Sequence, residues 1–387
     1  MKKKIAILGS TGSIGKTLIN IIKQDKKNFE IVLLSADENY KELLKQAKFF
    51  KVKNLIVTNE YSYDKIKKDK FSKKINIYNN FNSFKKIFKK KIDYTMSSIS
   101  GIQGLKPTIE IVKFTNKIAI ANKESIICGW DLIEKELKKN KTEFIPVDSE
   151  HFSIWYALKD VDKKLIEKIY ITASGGPFLY KPLNKLRNVS SKQAMKHPNW
   201  KMGKKISIDS ATMMNKVFEI IEAKKIFNLS YKKLSILVHP KSYIHAIIKL
   251  KNGLTKIVAH DTNMKIPIFN SLHSSSNYIN SKKLNLKILN NLALKEIDYK
   301  RFSVIKILSK LPENSSLFET ILVSINDKLV ELFLANKIKF TDIPKKMHNM
   351  LDLNELKKYK MIKPRKINDI IFLNNKIRSK IEIKNKI

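Results

Sequence analysis

The sequence predicts an α/β fold that opens with a doubly wound parallel sheet, continues through a central α/β region and ends in a small helical domain. Three observations predict it. Short apolar runs alternate with helical patterns over the first third of the chain, the glycine-rich turn GSTGSIGKT (9–17) follows the first of those runs, and the last stretch carries helical periodicity. Alternation of this kind favours parallel strands linked by crossover helices, with a ligand-binding turn after the first strand.

In chain order, KIAIL (4–8) reads as a strand and residues 16–23 as a helix. FEIVLLS (29–35), a helix over YKELLKQAKFF (40–50), NLIVT (54–58), DYTMSSI (93–99) and KIAIANKES (117–125) continue the pattern. This assigns residues 1–147 to a Rossmann-like dinucleotide-binding domain. KIYITAS (168–174), LSILVHP (234–240), HAIIKL (245–250) and TKIVAH (255–260) read as further strands, with a helix over 211–225. They place a second α/β domain at 148–280, which holds most of the polar clusters. LFETILVSINDKLVELFLANKI (317–338) marks a helical C-terminal domain at 295–387.

A chain of 387 residues with 43% hydrophobic content can bury more than one core. No long uncharged apolar run is present, so no membrane span is expected, and the start MKKKIAILGS passes straight into a strand. One cysteine, Cys128, precludes an intramolecular disulfide and suits a reducing, cytoplasmic setting. The net charge of +42 would ordinarily suggest nucleic acid. However, only four of the 77 basic residues are arginine (Arg187, Arg301, Arg365, Arg378), and the lysines are spread along the chain rather than gathered on one element. Solvated lysine faces are the simpler reading, and no nucleic-acid partner is expected.

The turn at 9–17 resembles two nucleotide loops. Ending in Gly15-Lys16-Thr17, it nearly fits the G-x-x-x-x-G-K-[ST] phosphate loop, but Ser10 stands where that template needs glycine. Gly9, Gly12 and Gly15 instead keep the second and third glycines of a dinucleotide loop. A P-loop phosphotransferase also needs a carboxylate at the end of a later strand to help hold magnesium, and none stands out in the first hundred residues. Both readings stay open on this loop alone.

Three clusters carry further chemistry. In VDSEH (147–151), Asp148 and Glu150 lie two apart at the end of a strand-like run and point to one side, as hard oxygen ligands for a magnesium- or manganese-type ion would; His151 reads as packing. In KISIDSATMMNKVFEIIEAKK (205–225), Asp209 or Ser210 is expected to cap a helix starting near Ala211, on which Asn215 and Glu219 share a face beside Lys216. Met213 and Met214 read as core. Upstream, TASGGPF places Ser174 beside Gly175 and Gly176, where backbone can approach an oxyanion. KHPNWKMGKK (196–205) adds His197 and Trp200 in a segment suited to a lid.

Taken together, ILGSTGSIG, AIANKES, PVDSEH, SGGPF, HPNWKMGKKISIDSATMMNK and HPKSYIH resemble the 1-deoxy-D-xylulose 5-phosphate reductoisomerases, in the family's order from residue 8 to about 265. The resemblance implies a cytosolic homodimer that isomerises this sugar phosphate and reduces the product with NADPH, using Mg2+ or Mn2+. It implies cofactor contacts at Thr11, Gly12, Ser13, Ile14, Asn39, Asn122, Glu124 and Gly203. It implies metal ligands at Asp148, Glu150 and Glu219, and substrate contacts at Lys123, Ser149, Glu150, Ser174, His197, Ser210, Asn215, Lys216 and Glu219. Of these, Lys123, Glu150 and His197 are implied in the chemistry, and Trp200 in the lid.

Three departures from the family pattern stand out. Asp37 and Glu38 precede Asn39 where a glycine and a basic or small residue are usual, and acid there ordinarily favours a free ribose 2′-hydroxyl over a 2′-phosphate. Lys41 or a neighbouring lysine is the expected compensation. Val217 in place of glycine and SIND (324–327) in place of AANE read as structural changes.

Overall fold

A computed structural model describes residues 1–273 and 277–384. They form two compact units: residues 1–125, 131–152 and 264–280 make the first, and 126–130, 153–263 and the segment from Ser281 onward make the second.

The first unit is a parallel sheet of seven strands: β1 (Lys3–Leu8), β2 (Phe29–Ala36), β3 (Asn54–Val57), β4 (Asn76–Tyr78), β5 (Ile92–Ser97), β6 (Thr115–Ile120) and β7 (Glu143–Pro146). Their order is β4-β3-β2-β1-β5-β6-β7, every pairing parallel. Ile5, Ala6, Ile7 and Leu8 are fully buried, as expected of a strand covered by helices on both faces. The order reverses between β1 and β5, and the crevice beyond the carboxyl ends of the strands at such a switch point is where doubly wound sheets bind ligands. The sequence reading missed β4, three residues long and too short to show a period, and saw the four-residue β7 only as the strand-like run before Asp148. Helix Lys265–Leu272, from the sequence's central segment, packs here through Ile268 and Leu272.

The second unit holds a mixed four-stranded sheet of β8 (Ile166–Ala173), β9 (Leu234–Val238), β10 (Ile244–Leu250) and β11 (Thr255–Ala259), ordered β11-β10-β8-β9. β8 and β9 are parallel, and β10 runs antiparallel to both β8 and β11. Helices Phe318–Leu334, Asp342–Leu351 and Ile367–Lys384 belong to this same unit, so the boundary drawn in the sequence between central and C-terminal segments runs through one compact body. Cys128 is buried with it, and burial pushes its thiol well above the ordinary range.

The expected helix start near Ala211 is corrected. Asp209 and Ser210 do not cap; they lie inside a helix spanning Lys204–Thr212, which ends where Met213 turns left-handed at φ 69°, and a second helix runs Met214–Phe227. The alternating polar pattern of KISIDSAT concealed the first helix, and a left-handed methionine leaves no sequence signal, because glycine or asparagine is the usual marker of such a break.

Candidate functional site

The loop after β1 is shaped by two glycines for different reasons. Gly9 sits at φ +81°, where a β-carbon would also meet the Ser98 carbonyl oxygen at 2.8 Å. Gly15 lies in the first turn of helix Ser13–Gln24, where a β-carbon would come 2.4 Å from the Gly9 carbonyl oxygen. The loop is anchored from beneath: Ser35 Oγ accepts from the Gly9 N–H at 3.0 Å, and Ser35 O accepts from the Ser10 N–H at 2.8 Å. Gly12, at the helix N-terminus, offers no capping side chain, and neither it nor Ser13 is covered. The first-turn N–H groups are thus available to an anion, and the positive end of the helix dipole favours one. Lys16 points away as an exposed helix residue.

Asp37, Glu38 and Asn39 end β2 and are exposed. Asp37 Oδ1 accepts the Thr58 hydroxyl at 2.7 Å, Glu38 O accepts the Ser62 hydroxyl at 2.7 Å, and Asn39 caps helix Tyr40–Phe50 through the Glu42 N–H. Asn39 is therefore already at work in the fold, and its carbonyl side-chain oxygen is engaged.

Asn122 is a cap too. It is buried at the start of helix Lys123–Asn140, accepts the Ser125 N–H at 2.6 Å, and donates to the carbonyls of Ile99 and Gly101. This ties the β6 end to the β5 loop and aims Lys123 at β7. Lys123 Nζ lies 3.1 Å from Asp148 Oδ2. Asp148 precedes helix Ser149–Ala157; its carbonyl accepts the Phe152 N–H at 2.8 Å and its Oδ1 the Glu150 N–H at 3.3 Å. The reason given in the sequence for Asp148 and Glu150 facing one side is thereby corrected: Glu150 is in the first turn of a helix, not on a strand. Ser149 donates to Glu150 Oε2 at 2.7 Å, and the fully buried His151 places Nδ1 3.3 Å from Asp148 Oδ1. Burial opposes ionisation of Asp148, but the Lys123 charge, with hydrogen bonds and charge from its neighbours, outweighs it and holds the carboxyl well below the ordinary carboxylate range.

The second unit gathers a second polar cluster. Ser174, just past β8, accepts the Gly176 N–H at 3.0 Å and lies 2.9 Å from His197 Nε2. His197 Nδ1 accepts the N–H groups of both Asn199 and Trp200, at 3.1 and 3.0 Å. A ring nitrogen that accepts twice carries no proton, so the proton sits on Nε2 and is donated to Ser174. With Oγ accepting from both sides, the Ser174 hydroxyl can act toward a further group only as a donor. Burial first, and then the Lys216 charge, lowers His197 to about 4.

Gly176, at φ +66°, abuts the helix that bears Ser210: a β-carbon there would meet Ser210 O at 2.8 Å. Past the Met213 break, Asn215 Nδ2 and Lys216 Nζ both donate to Glu219, the latter at 2.5 Å, and Lys216 and Glu219 are buried. The shared face expected for Asn215 and Glu219 is present, and Met213 and Met214 are core. Gly203 ends the irregular segment as the exposed residue before helix Lys204–Thr212. The sequence reading passed over Asn199, which pins the expected lid by donating to Pro240 O at 2.7 Å and Ser242 Oγ at 2.9 Å. Trp200 meets the edge of His245, which stacks on His260 at 3.7 Å.

A glycine turn at the switch point of a parallel sheet, with polar clusters at Asp148 and at Ser174, defines the class, a doubly wound α/β protein of the kind that takes its ligand at that turn. The comparisons narrow it. A family model described as 1-deoxy-D-xylulose 5-phosphate reductoisomerase matches residues 5–129, and models of that enzyme's C-terminal domains match 144–227 and 261–380. The enzyme of that name from Pelagibacter ubique is 61% identical over 98% of both chains, and that of Wolbachia pipientis wMel 40% identical over 88% of both. A solved DOX-P reductoisomerase, in complex with NADPH, fosmidomycin and magnesium, is similar at TM-score 0.91 and 30% identity, covering 99% of this chain and 98% of its own. The chain belongs to the 1-deoxy-D-xylulose 5-phosphate reductoisomerase family.

Proposed function

We infer that the chain isomerises 1-deoxy-D-xylulose 5-phosphate in a metal-dependent step and reduces the resulting aldehyde with NADPH, giving 2-C-methyl-D-erythritol 4-phosphate for isoprenoid precursors. The observation that carries this is likeness over nearly the whole chain to a relative of that activity, 61% identical across 98% of both sequences.

Site roles follow as proposals, each supported by the local geometry. Thr11, Gly12, Ser13 and Ile14 receive the cofactor pyrophosphate at an open helix N-terminus, and Asn39, Asn122, Glu124 and Gly203 shape the rest of its pocket. NADPH, when bound, supplies hydride. Asp148, Glu150 and Glu219 would hold the divalent ion, whose Lewis acidity would be supplied to the substrate carbonyl. Their donor set is three carboxylates, the hard oxygens that magnesium or manganese takes, and Asp148 is held ionised. Lys123 offers its ammonium to substrate oxygens beside Asp148 and steadies negative charge that develops there. Ser149 keeps Glu150 oriented. Ser174, Ser210, Asn215 and Lys216 hold the phosphate. Neutral His197 donates to Ser174 and fixes its hydroxyl, and the segment bearing Trp200 closes over the ligand and excludes water.

By segment, residues 1–147 serve the cofactor, 148–280 the metal, substrate and dimer contact, and 295–387 support them. A cytoplasmic homodimer is proposed. β11 is an unpaired edge with Leu254 and Ile257 more than half exposed, the kind of edge a second copy covers. NADPH oxidation with 1-deoxy-D-xylulose 5-phosphate, titrated separately with Mg2+ and Mn2+, tests the activity; no oxidation at any metal concentration would overturn it. The P-loop phosphotransferase reading is not supported by the comparisons.

A further inference from the structure

The helix that bears Ser210 has little to hold it by itself. It spans nine residues, begins after Gly203 with no side-chain cap, and ends in a strained left-handed methionine. A helix this short is marginal alone and takes its position from what it packs against. On one side the backbone of Gly176 lies against Ser210 and Ala211, so the Ser174 loop and the Ser210 helix move as a pair. The residue next to Ser210 supplies a second tether. Asp209 is 1% exposed, and its Oδ1 accepts Asn326 Nδ2 at 2.7 Å, across 117 residues of sequence. Asn326, fully buried, stands on helix Phe318–Leu334 of the C-terminal segment. Lys205 completes the lock, lying 3.2 Å from Asp209 Oδ2 and 3.0 Å from Asp327 Oδ1. Two consecutive residues of one C-terminal helix thus hold two residues, four apart, on the short helix.

We propose that Asn326 and Asp327, through Asp209 and Lys205, are positioning residues for the substrate phosphate, setting where Ser210 stands relative to Ser174. The proposal rests on the reading of Ser174, Ser210, Asn215 and Lys216 as the phosphate site. A buried carboxylate must be paired, so the short helix settles where Asp209 finds both Asn326 and Lys205. The C-terminal helices thereby act on substrate binding without touching substrate. At the two positions the lock uses, SIND keeps the amide and the carboxylate of AANE, so the lock is independent of that departure.

The test is steady-state kinetics with 1-deoxy-D-xylulose 5-phosphate beside NADPH affinity measured by fluorescence. Asn326→Leu is expected to raise KM for the sugar phosphate about tenfold or more while kcat falls less than about threefold, since misplacement of a binding group costs affinity steeply. NADPH affinity stays within about twofold, a split that general loss of structure does not give. The exchange variant Asp209→Asn/Asn326→Asp restores donor and acceptor with reversed polarity and is expected to hold KM within about threefold of the parent. An unchanged KM in Asn326→Leu, or an equal loss of NADPH affinity, overturns the proposal. If Asn326→Leu does not fold, Lys205→Met on the partly exposed side of the lock reads the same effect: a KM raised about threefold supports it, and an unchanged KM overturns it. Ser210→Ala separates the two layers. If it raises KM while the lock variants do not, this inference fails and the phosphate reading stands; if it leaves KM unchanged, both fail.

Discussion

His197 Nε2 stands 2.9 Å from Ser174 Oγ while His197 Nδ1 accepts two backbone N–H groups, so one imidazole joins the 196–205 segment to Ser174 in a single protonation state. The ring is lowered from its ordinary 6.5 to about 4, mainly by burial. Protonation would turn Nδ1 from acceptor to donor and break the lid turn. In the unfolded chain the ring takes up its proton as pH falls through about 6.5, whereas in the fold it stays neutral until about 4. Stability is therefore fully present above 6.5 and is lost progressively as pH falls towards 4, in the same direction as for His239 and His273. Thermal melts from pH 7.5 to 4.5 should show this fall, and His197→Asn should flatten part of it; an identical slope in the variant would refute the assignment.

Lys123 and Asp148 are paired at 3.1 Å with side chains only 8% and 17% exposed. Lys123→Met leaves a mostly buried carboxylate without its cation, and about 3 kcal/mol of stability should go with it. Turnover should fall about a hundredfold or more through lost charge stabilisation. Calorimetry and kcat check the two effects separately.

Glu219→Gln keeps the shape of a buried residue and still accepts from Asn215 or Lys216, so the chain should fold and melt within a few degrees of the parent. Without the carboxylate charge, turnover should fall about a thousandfold or more and the magnesium requirement should rise. Retained turnover would rule out its role as a ligand.

The two readings of the glycine turn predict opposite results. Gly15→Ala places a β-carbon 2.4 Å from the Gly9 carbonyl oxygen and should abolish NADPH binding, measured by fluorescence quenching. Lys16→Ala removes an exposed ammonium and should leave activity within about twofold, the usual range for a surface change. Loss of activity in Lys16→Ala would revive the phosphotransferase loop.

Asp37 is held by Thr58 at 2.7 Å at the end of β2, where a carboxylate ordinarily meets the ribose. Asp37→Ser should lower KM for NADPH several-fold and raise it for NADH, because a 2′-phosphate no longer faces a fixed negative charge. Equal KM changes for both cofactors would place the discrimination elsewhere.

Much of the sheet was legible because its strands are buried on both faces and read as apolar runs; β4 was not, being too short to carry a period. Asn122 shows a cap that was passed over: KIAIANKES was read as one run, yet Asn122 ends the strand region and caps the helix that follows through the Ser125 N–H. For Glu150 a strand argument was made for a residue that sits on a helix, because a helix N-terminus and a strand end both put such a pair on one side. The Met213 break and the Asp209–Asn326 bond carried no local signal. One depends on a backbone angle unusual for methionine, and the other joins residues 117 apart whose pairing is fixed only when the helices pack.

The solitary buried thiol of Cys128 has a practical consequence. Thiolates, not thiols, react with electrophiles, and this one is both covered and held protonated. The native thiol should resist maleimides, so a pair of cysteines introduced at the tip of the 196–205 segment and on the 239–245 turn would be the sole thiol-reactive handles in the molecule. Dyes placed there would report opening and closing of the lid one molecule at a time, with no background labelling to remove.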